Sequence, residues 1–551
     1  MPLWEQSNFS YAKFILSYFF KPTRIPVIVN RVKVAIVLTA IGTLGHAPLQ
    51  AQSDAALPGQ KSPQSSRQLP TLGDGSDLTS SAERRLGQRI AREIYRDPDY
   101  IDDAVLAEYV QGIWQPLLAA ARARGDLSSE LDERFAWEIM LGRDRTVNAF
   151  ALPGGYFGVH LGLIAVVGNR DELASVLGHE LSHVTQRHIS RLIAKQSQQT
   201  PWMIGAMILG ALAASKSPDA GSALIVGGQA VAAQNQLNFS RDMEREADRV
   251  GFGVMTQAGY DAQGFVTMFD KLQQASRLND NGAYPYLRSH PLTTERIADM
   301  QSRVALVATS QASTAPSLEH AMIAARARVL SNPGVDALRA IASEAGTTQL
   351  ATLGTARLAG VLYGAALAAS RLRDFSSARD AISRLAELAR SDVRAARLSH
   401  LLEVEVALAA GDAPGAAKLL NAITVSSSEH RPELFLAAQV ATQAGQGEQA
   451  SAVAQRLQVW VAAQPHDAQA WQLLSSLYAT RGQTLSAIRA DAETQVARLD
   501  YAAALDRFRA AQELSRQGGV GNPAADHIEA SIIDTRHRLV ELLLKEQALD
   551  R

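Results

Sequence analysis

Residues 179–183 read His-Glu-Leu-Ser-His. On a helix, His179 and His183 stand at i and i+4, so both imidazoles project from one face and can share a metal ion, with Glu180 beside them as a base. The flanking sequence predicts that helix. Asn169 can cap it, with Glu172 three residues on in a capping-box arrangement, and Leu173, Val176, Leu177, Leu181 and Val184 form an apolar stripe at helical spacing. Glu180 falls between the stripe and the histidine pair. A carboxylate there is at least partly buried, which is costly without a metal or partner. The segment SRDMEREADRVG (Ser240–Gly251) begins beyond a long apolar stretch and carries Glu244 and Asp248, again one helical turn apart. A catalytic zinc takes three protein ligands and keeps one open position. Glu244 can be the third ligand, and Asp248 can accept the remaining ring N–H of a ligand histidine. Glu246 points to the other side and reads as a surface charge. His188 falls about 140° round the helix from His183 and is not expected at the same metal.

The elements that must position these groups lie between about Asp77 and Ala308. Helical periodicity runs through SSAERRLGQRIAREIY and VLAEYVQGIWQPLLAAARARG, and a strand-like patch follows in ERFAWEIMLGRDRTVNAFALPGGYFGVHLGLI. Asn148 to Tyr156 reads as an edge strand beside the cleft, with Pro153, Gly154 and Gly155 ending or kinking it. A substrate peptide could add as a further strand along Asn148, Ala149, Phe150 and Ala151, with Gly154 and Gly155 admitting its backbone; the alternative is a plain core hairpin. His160 is expected to be packed rather than functional. Two apolar runs, Trp202–Ala214 and Ser222–Ala233, separate the metal-binding segments. The first is short of the roughly 20 residues needed to span a bilayer. They read as two helices over the cleft, either packed in the core or facing a membrane or unfolded substrate.

From about Ser317 onward the chain is rich in Ala and Leu, with no strand alternation. The hexads RDFSSA (Arg373–Ala378), GDAPGA (Gly411–Ala416), GQGEQA (Gly445–Ala450) and GQTLSA (Gly482–Ala487) recur at intervals of 38, 34 and 37 residues, and LDYAAA (Leu499–Ala504) follows about one helix later. Each is a tight turn followed five residues on by a small Ala, which lets two helices pack closely. A period near 34 is that of tetratricopeptide repeats, although their aromatic signature positions are mostly missing; an irregular helical bundle is the alternative. This half is expected to fold as a separate unit that binds protein segments.

The remaining features set the compartment and exclude classes of function. Arg31 and Lys33 precede a short apolar run, Val34 to Leu44, and then GHAPLQAQS. This is a secretory signal pattern with cleavage after Ala51, followed by a Pro/Ser/Gly-rich linker. The chain of 551 residues has 54 Lys+Arg against 55 Asp+Glu, so no basic excess points to nucleic acid. It has no cysteine, which excludes disulfides, thiolate zinc ligands and a cysteine nucleophile.

VNAFALPGG, HELSHVTQRH and SRDMEREADRVG together resemble the gluzincin metallopeptidases related to the CAAX prenyl proteases and HtpX. The resemblance implies an α+β fold. A mainly helical metallopeptidase domain with a small sheet occupies 76–308, and an all-α tetratricopeptide superhelix occupies 318–551. They follow a signal peptide at 1–51 and a linker at 52–75. It further implies one zinc ion per chain on His179, His183 and Glu244, Glu180 as catalytic base and Asp248 behind the ligands. A histidine in a later loop, here His290 in YLRSHPLTTERIAD, is implied to reach the zinc, as a fourth ligand that keeps the enzyme off or as an oxyanion donor, with Arg296 as second candidate donor. The implied activity is that of a periplasmic endopeptidase of a Gram-negative bacterium. Its expected partners are unfolded or misassembled outer-membrane proteins and, through the repeats, the β-barrel assembly machinery. A repeat-based chaperone or scaffold with a latent protease site, or a zinc hydrolase of non-peptide substrates, would be the rivals.

Overall fold

The computed structural model describes residues 78–195, 240–277, 283–307, 317–347, 352–423, 430–445, 447–517 and 523–549. The expected signal, the linker and both apolar runs after Thr200 lie outside the described residues. All described residues belong to one compact unit, Pro70–Arg551. Among them no helix is long and apolar enough to cross a membrane.

The first part builds a four-stranded sheet framed by helices: α1 (Ser80–Arg96), β1 (Tyr100–Ile101), α2 (Ala104–Arg124), α3 (Ser129–Arg134), β2 (Glu138–Gly142), β3 (Ala149–Leu152), β4 (Tyr156–His160) and α4 (Leu161–Val166). The strand order is β1-β2-β4-β3, with β2 parallel to β4 and the other pairs antiparallel. β3 is therefore an edge strand, as its sequence predicts. Then come α5 (Arg170–Thr185), α6 (His188–Lys195), α7 (Arg241–Gln257), α8 (Gln263–Arg277), α9 (Tyr286–Ser289) and α10 (Thr294–Leu306). α2 anchors this part by burying Trp114 against Phe157 of β4, with ring centroids 4.6 Å apart.

The second part is helical throughout: α11 (Leu318–Ser331), α12 (Val335–Ser343), α13 (Thr355–Arg371), α14 (Phe375–Ala389), α15 (Val393–Ala409), α16 (Ala413–Ile423), α17 (Arg431–Ala444), α18 (Glu448–Ala463), α19 (Ala468–Thr480), α20 (Thr484–Ala497), α21 (Tyr501–Arg516) and α22 (Pro523–Leu549). The recurring hexads mark its turns. Their first residues, Arg373, Gly411, Gly445, Gly482 and Leu499, all have φ between 61° and 86°. Their alanines, Ala378, Ala416, Ala450, Ala487 and Ala504, are all buried. A left-handed residue reverses the chain, and an alanine on the next helix permits close packing.

The core does not divide where the composition changes. One continuous apolar cluster runs from Val105 in α2 to Ala490 in α20, and α11 packs on α4. Arginines from α11, α15 and α17 reach back to the start of α2: Arg326 to Asp103 at 2.7 Å, Arg397 to Glu108 at 2.7 Å and Arg431 to Asp102 at 2.8 Å. The helical part, expected to be separate, thus shares its interior and a line of ion pairs with the first.

Candidate metal centre

α5 forms where its cap predicts. Asn169 Oδ1 accepts the N–H of Glu172 at 2.8 Å. The Glu172 carboxylate departs from a full capping box: it accepts the N–H of Gly168 and pairs with Lys271 at 2.6 Å. The helix is buried on every face from Glu172 to Thr185, because α2, α7, α8 and β3 all pack around it. α7 starts at Ser240, whose side chain accepts the N–H of Met243. Glu244 lies in its first turn, where the helix dipole favours an anion.

Two glycines bring these helices together. A Cβ on Gly251 would stand 2.9 Å from the carbonyl group of Gly178 and from His179 N. The backbones touch there, which sets Glu244 and Asp248 against the histidines of α5. His179 Nε2 lies 3.0 Å from His183 Nε2 and 3.6 Å from Glu244 Oε2, and His183 Nε2 lies 3.4 Å from Glu244 Oε1. His290, which follows α9, completes the group. Its Nδ1 is 3.0 Å from Glu244 Oε1 and 3.3 Å from His179 Nε2, and its Nε2 is 3.4 Å from Glu180 Oε1. One donor atom from each of His179, His183, Glu244 and His290 falls within 4.8 Å of all the others, and all four residues are buried. His290 is held by its own N–H, which donates to Tyr286 O, and by stacking on the Tyr286 ring. Tyr286 N in turn bonds Val147 O, just before β3.

Asp248 lies behind His179, with Oδ1 2.9 Å from Nδ1. A carboxylate only accepts, so His179 presents its Nδ1–H to Asp248, and in the neutral ring the Nε2 lone pair faces the cluster. Burial disfavours charge on His179, but Asp248 and Glu244 outweigh it and raise its pKa to about 9. Burial and the neighbouring His179 charge push His183 well below the usual histidine range. Burial opposes ionisation of Glu244 and Asp248 too, yet His290 and His179 hold Glu244 well below the carboxylate range, and Arg296 and His179 lower Asp248.

Arg296 departs from its expected role as an oxyanion donor. Its Nε and Nη2 grip Asp248 at 2.6 and 2.7 Å, and its Nη1 lies 2.8 Å from both Pro291 O and Glu244 Oε2. A guanidinium committed to two buried carboxylates and a carbonyl fixes those groups in place and has little left for a substrate. Gly154 and Gly155 depart as well. Both have positive φ, and a Cβ on either would strike backbone at Arg84 or at Ala136 and Trp137. Their carbonyls accept the N–H groups of Ala136 and Glu138. They are turn residues inside the fold, not an opening for a peptide. Along β3, Asn148 and Ala149 are buried, while Phe150 and Ala151 are half-buried, and the strand packs beside α5. His160 is buried, 2.9 Å from Thr146 Oγ1.

His188 stays outside the donor set, as expected, but it touches a ligand candidate from behind. Arg187 takes φ 54°, which ends α5, so the helical angle from His183 no longer applies. The chain folds back, and His188 Nδ1 comes 2.9 Å from His183 Nδ1. Glu246 is half-exposed but pairs with His188 and Arg191 rather than standing alone. The only signal in the sequence was Arg187 itself, and a left-handed arginine is not legible from its type.

The donor set fits a metal ion. Two imidazole nitrogens face each other beside a carboxylate that is held ionised. Both oxygens of the neighbouring Glu180 are buried without a hydrogen bond. Residues 109–304 match Peptidase family M48. A protein of Vibrio cholerae is 33% identical over 323 residues, 58% of this chain and 63% of that protein. The Beta-barrel assembly-enhancing protease of Yersinia pestis is 28% identical over 467 residues, 84% of this chain and 89% of its own. The protein of the same name in Escherichia coli is 32% identical over 241 residues, 43% of this chain and 47% of its own. The match thus spans less than two thirds of the first and third of these relatives. The matched residues include the donor set just described and the four-stranded sheet apart from β1.

Proposed function

We propose that this protein is a zinc endopeptidase of the periplasm that degrades misfolded or stalled outer-membrane proteins and assists their assembly. The observation that carries the reading is the convergence of His179, His183 and Glu244 in a buried cluster beside a Glu180 carboxylate that makes no hydrogen bond. Imidazole nitrogens with one carboxylate oxygen suit zinc, one ion per chain. The names of the Yersinia and Escherichia relatives support the substrate class. The secretory pattern before Gln52 supports the compartment.

When bound, zinc supplies Lewis acidity, polarising a scissile carbonyl and bringing the pKa of water toward neutrality. Glu180 takes the proton of the attacking water and passes it to the leaving amine. Asp248 holds His179 in the tautomer that offers Nε2, and Arg296 keeps Asp248 and Glu244 in place. A peptide adds along the outer edge of β3, over Asn148, Ala149, Phe150 and Ala151. His290 closes the fourth side of the donor set, so this conformation is an off state. Movement of the α9 loop opens it and leaves His290 able to donate to the oxyanion. The helical second part, read as tetratricopeptide repeats, recruits the enzyme to the β-barrel assembly machinery. The outer membrane is within reach of such an assembly as a peripheral surface, and nucleic acid is not a partner.

One observation favours a second reading, a repeat-based chaperone whose protease site is rarely used: all four donor residues are at most 2% exposed. The same variant tests both. Glu180→Gln should retain zinc and lose cleavage of an unfolded barrel protein by roughly 10²–10⁴-fold, the usual contribution of a general base. Full cleavage by the metal-loaded variant would refute the base. Wild-type enzyme that binds zinc but never cleaves, even with His290 replaced, would leave the chaperone reading standing.

A further inference from the structure

A polar chain behind His183 has no part in the mechanism so far. His188 is fully buried. Its Nδ1 lies 2.9 Å from His183 Nδ1, with ring centroids 4.9 Å apart, and its Nε2 lies 3.1 Å from Glu246 Oε2. The same Glu246 oxygen accepts from Arg191 Nη1 at 2.9 Å. The protons in this chain can be assigned by elimination. The Glu246 carboxylate can only accept, so His188 carries its hydrogen on Nε2. Nδ1 of a neutral His188 is then an acceptor, and the hydrogen between the two rings belongs to His183 Nδ1. His183 Nε2 is left with its lone pair facing His179, Glu244 and His290.

We propose that His188, backed by Glu246 and Arg191, is the positioning residue that fixes the tautomer and ring orientation of His183 for metal binding. This inference rests on the metal-centre reading above. The two ligand histidines are then oriented by different devices. His179 meets the carboxylate of Asp248 directly. Behind His183 an imidazole stands first, and Glu246, with 39% of its side chain exposed, meets the far nitrogen of that imidazole. The device depends on the left-handed backbone at Arg187, which brings His188 back onto His183. Arg187 is itself tied to Glu83, to the carbonyl of Leu78 and to Ser190. Ligand histidines generally pass their second N–H to a carboxylate, a carbonyl or water, and loss of such a partner typically weakens metal binding 10–100-fold.

The test uses the full chain and zinc, with affinity read by competition against a chelator and metal-free stability read by thermal melting. His188→Phe keeps a ring but removes the acceptor, and should weaken zinc binding about 10–100-fold. His188→Gln restores an acceptor and should recover most of that loss. Glu246→Ala, at a half-exposed position where folding is not at stake, should weaken zinc by a smaller factor. Wild-type affinity in His188→Phe would overturn the proposal. So would equal losses in His188→Phe and His188→Gln accompanied by equal drops in metal-free melting, which would mark a packing role. A wild-type chain that binds no zinc would instead overturn the metal-centre reading, and this inference with it.

Discussion

Gly251→Ala tests whether the contact between α5 and α7 sets the metal geometry. The added Cβ would stand 2.9 Å from Gly178 C and O and His179 N, where ordinary contact begins at 3.4 Å. Backbone atoms on both sides cannot rotate away, so the helices must part by roughly 0.5 Å. Overpacking of this kind costs about 1–3 kcal/mol. Alanine in a helix returns up to about 1 kcal/mol relative to glycine. Gly253→Ala is the control, since it makes the same propensity gain in the same helix and meets only the mobile guanidinium of Arg124. The difference between the two variants is therefore the clash alone, about 1–3 kcal/mol by urea unfolding. A parting of roughly 0.5 Å exceeds the ~0.2 Å tolerance of metal–ligand distances. Zinc affinity of Gly251→Ala should fall on the order of tenfold against a competing chelator, while Gly253→Ala binds like the parent. Equal affinity and equal unfolding midpoints in the two variants would refute the reasoning.

His290→Ala should raise basal cleavage with zinc retained, because three ligands remain. A variant about a hundredfold slower with zinc retained would show instead that His290 serves only the oxyanion. The pH dependence follows from His179. Its pKa, raised to about 9, stabilises the metal-free fold fully below pH 6.5, and that contribution is lost as pH rises through about 9. Zinc must displace the same proton, so affinity should climb about tenfold per pH unit up to about 9 and then level. A flat affinity between pH 7 and 9 would contradict the shift.

The candidate site residues were legible because helix geometry is local. A spacing of four residues puts His179 with His183, and Glu244 with Asp248, on one face of any helix, and the cap at Asn169 says where the first of those helices begins. Three turns of the second part, at Gly411, Gly445 and Gly482, were legible for the same reason: a glycine that can take positive φ and an alanine five residues later are local requirements. Other features depend on groups far apart in the chain. Arg296 was read as a donor to substrate, but only its meeting with Asp248 and Glu244 shows where its hydrogens go. Gly154 and Gly155 suggested an approach for a peptide, yet the backbone that approaches them is the chain's own, at α1 and at Ala136–Trp137. His188 was set aside on a helical angle that Arg187 cancels by turning left-handed. The sequence by itself determined which side chains could bind and activate, since type and short-range spacing suffice for that. Tertiary structure alone decided which of them face one another, because the Gly178–Gly251 contact and the packing of the Tyr286–His290 loop arise from surfaces that meet only after the chain has closed on itself.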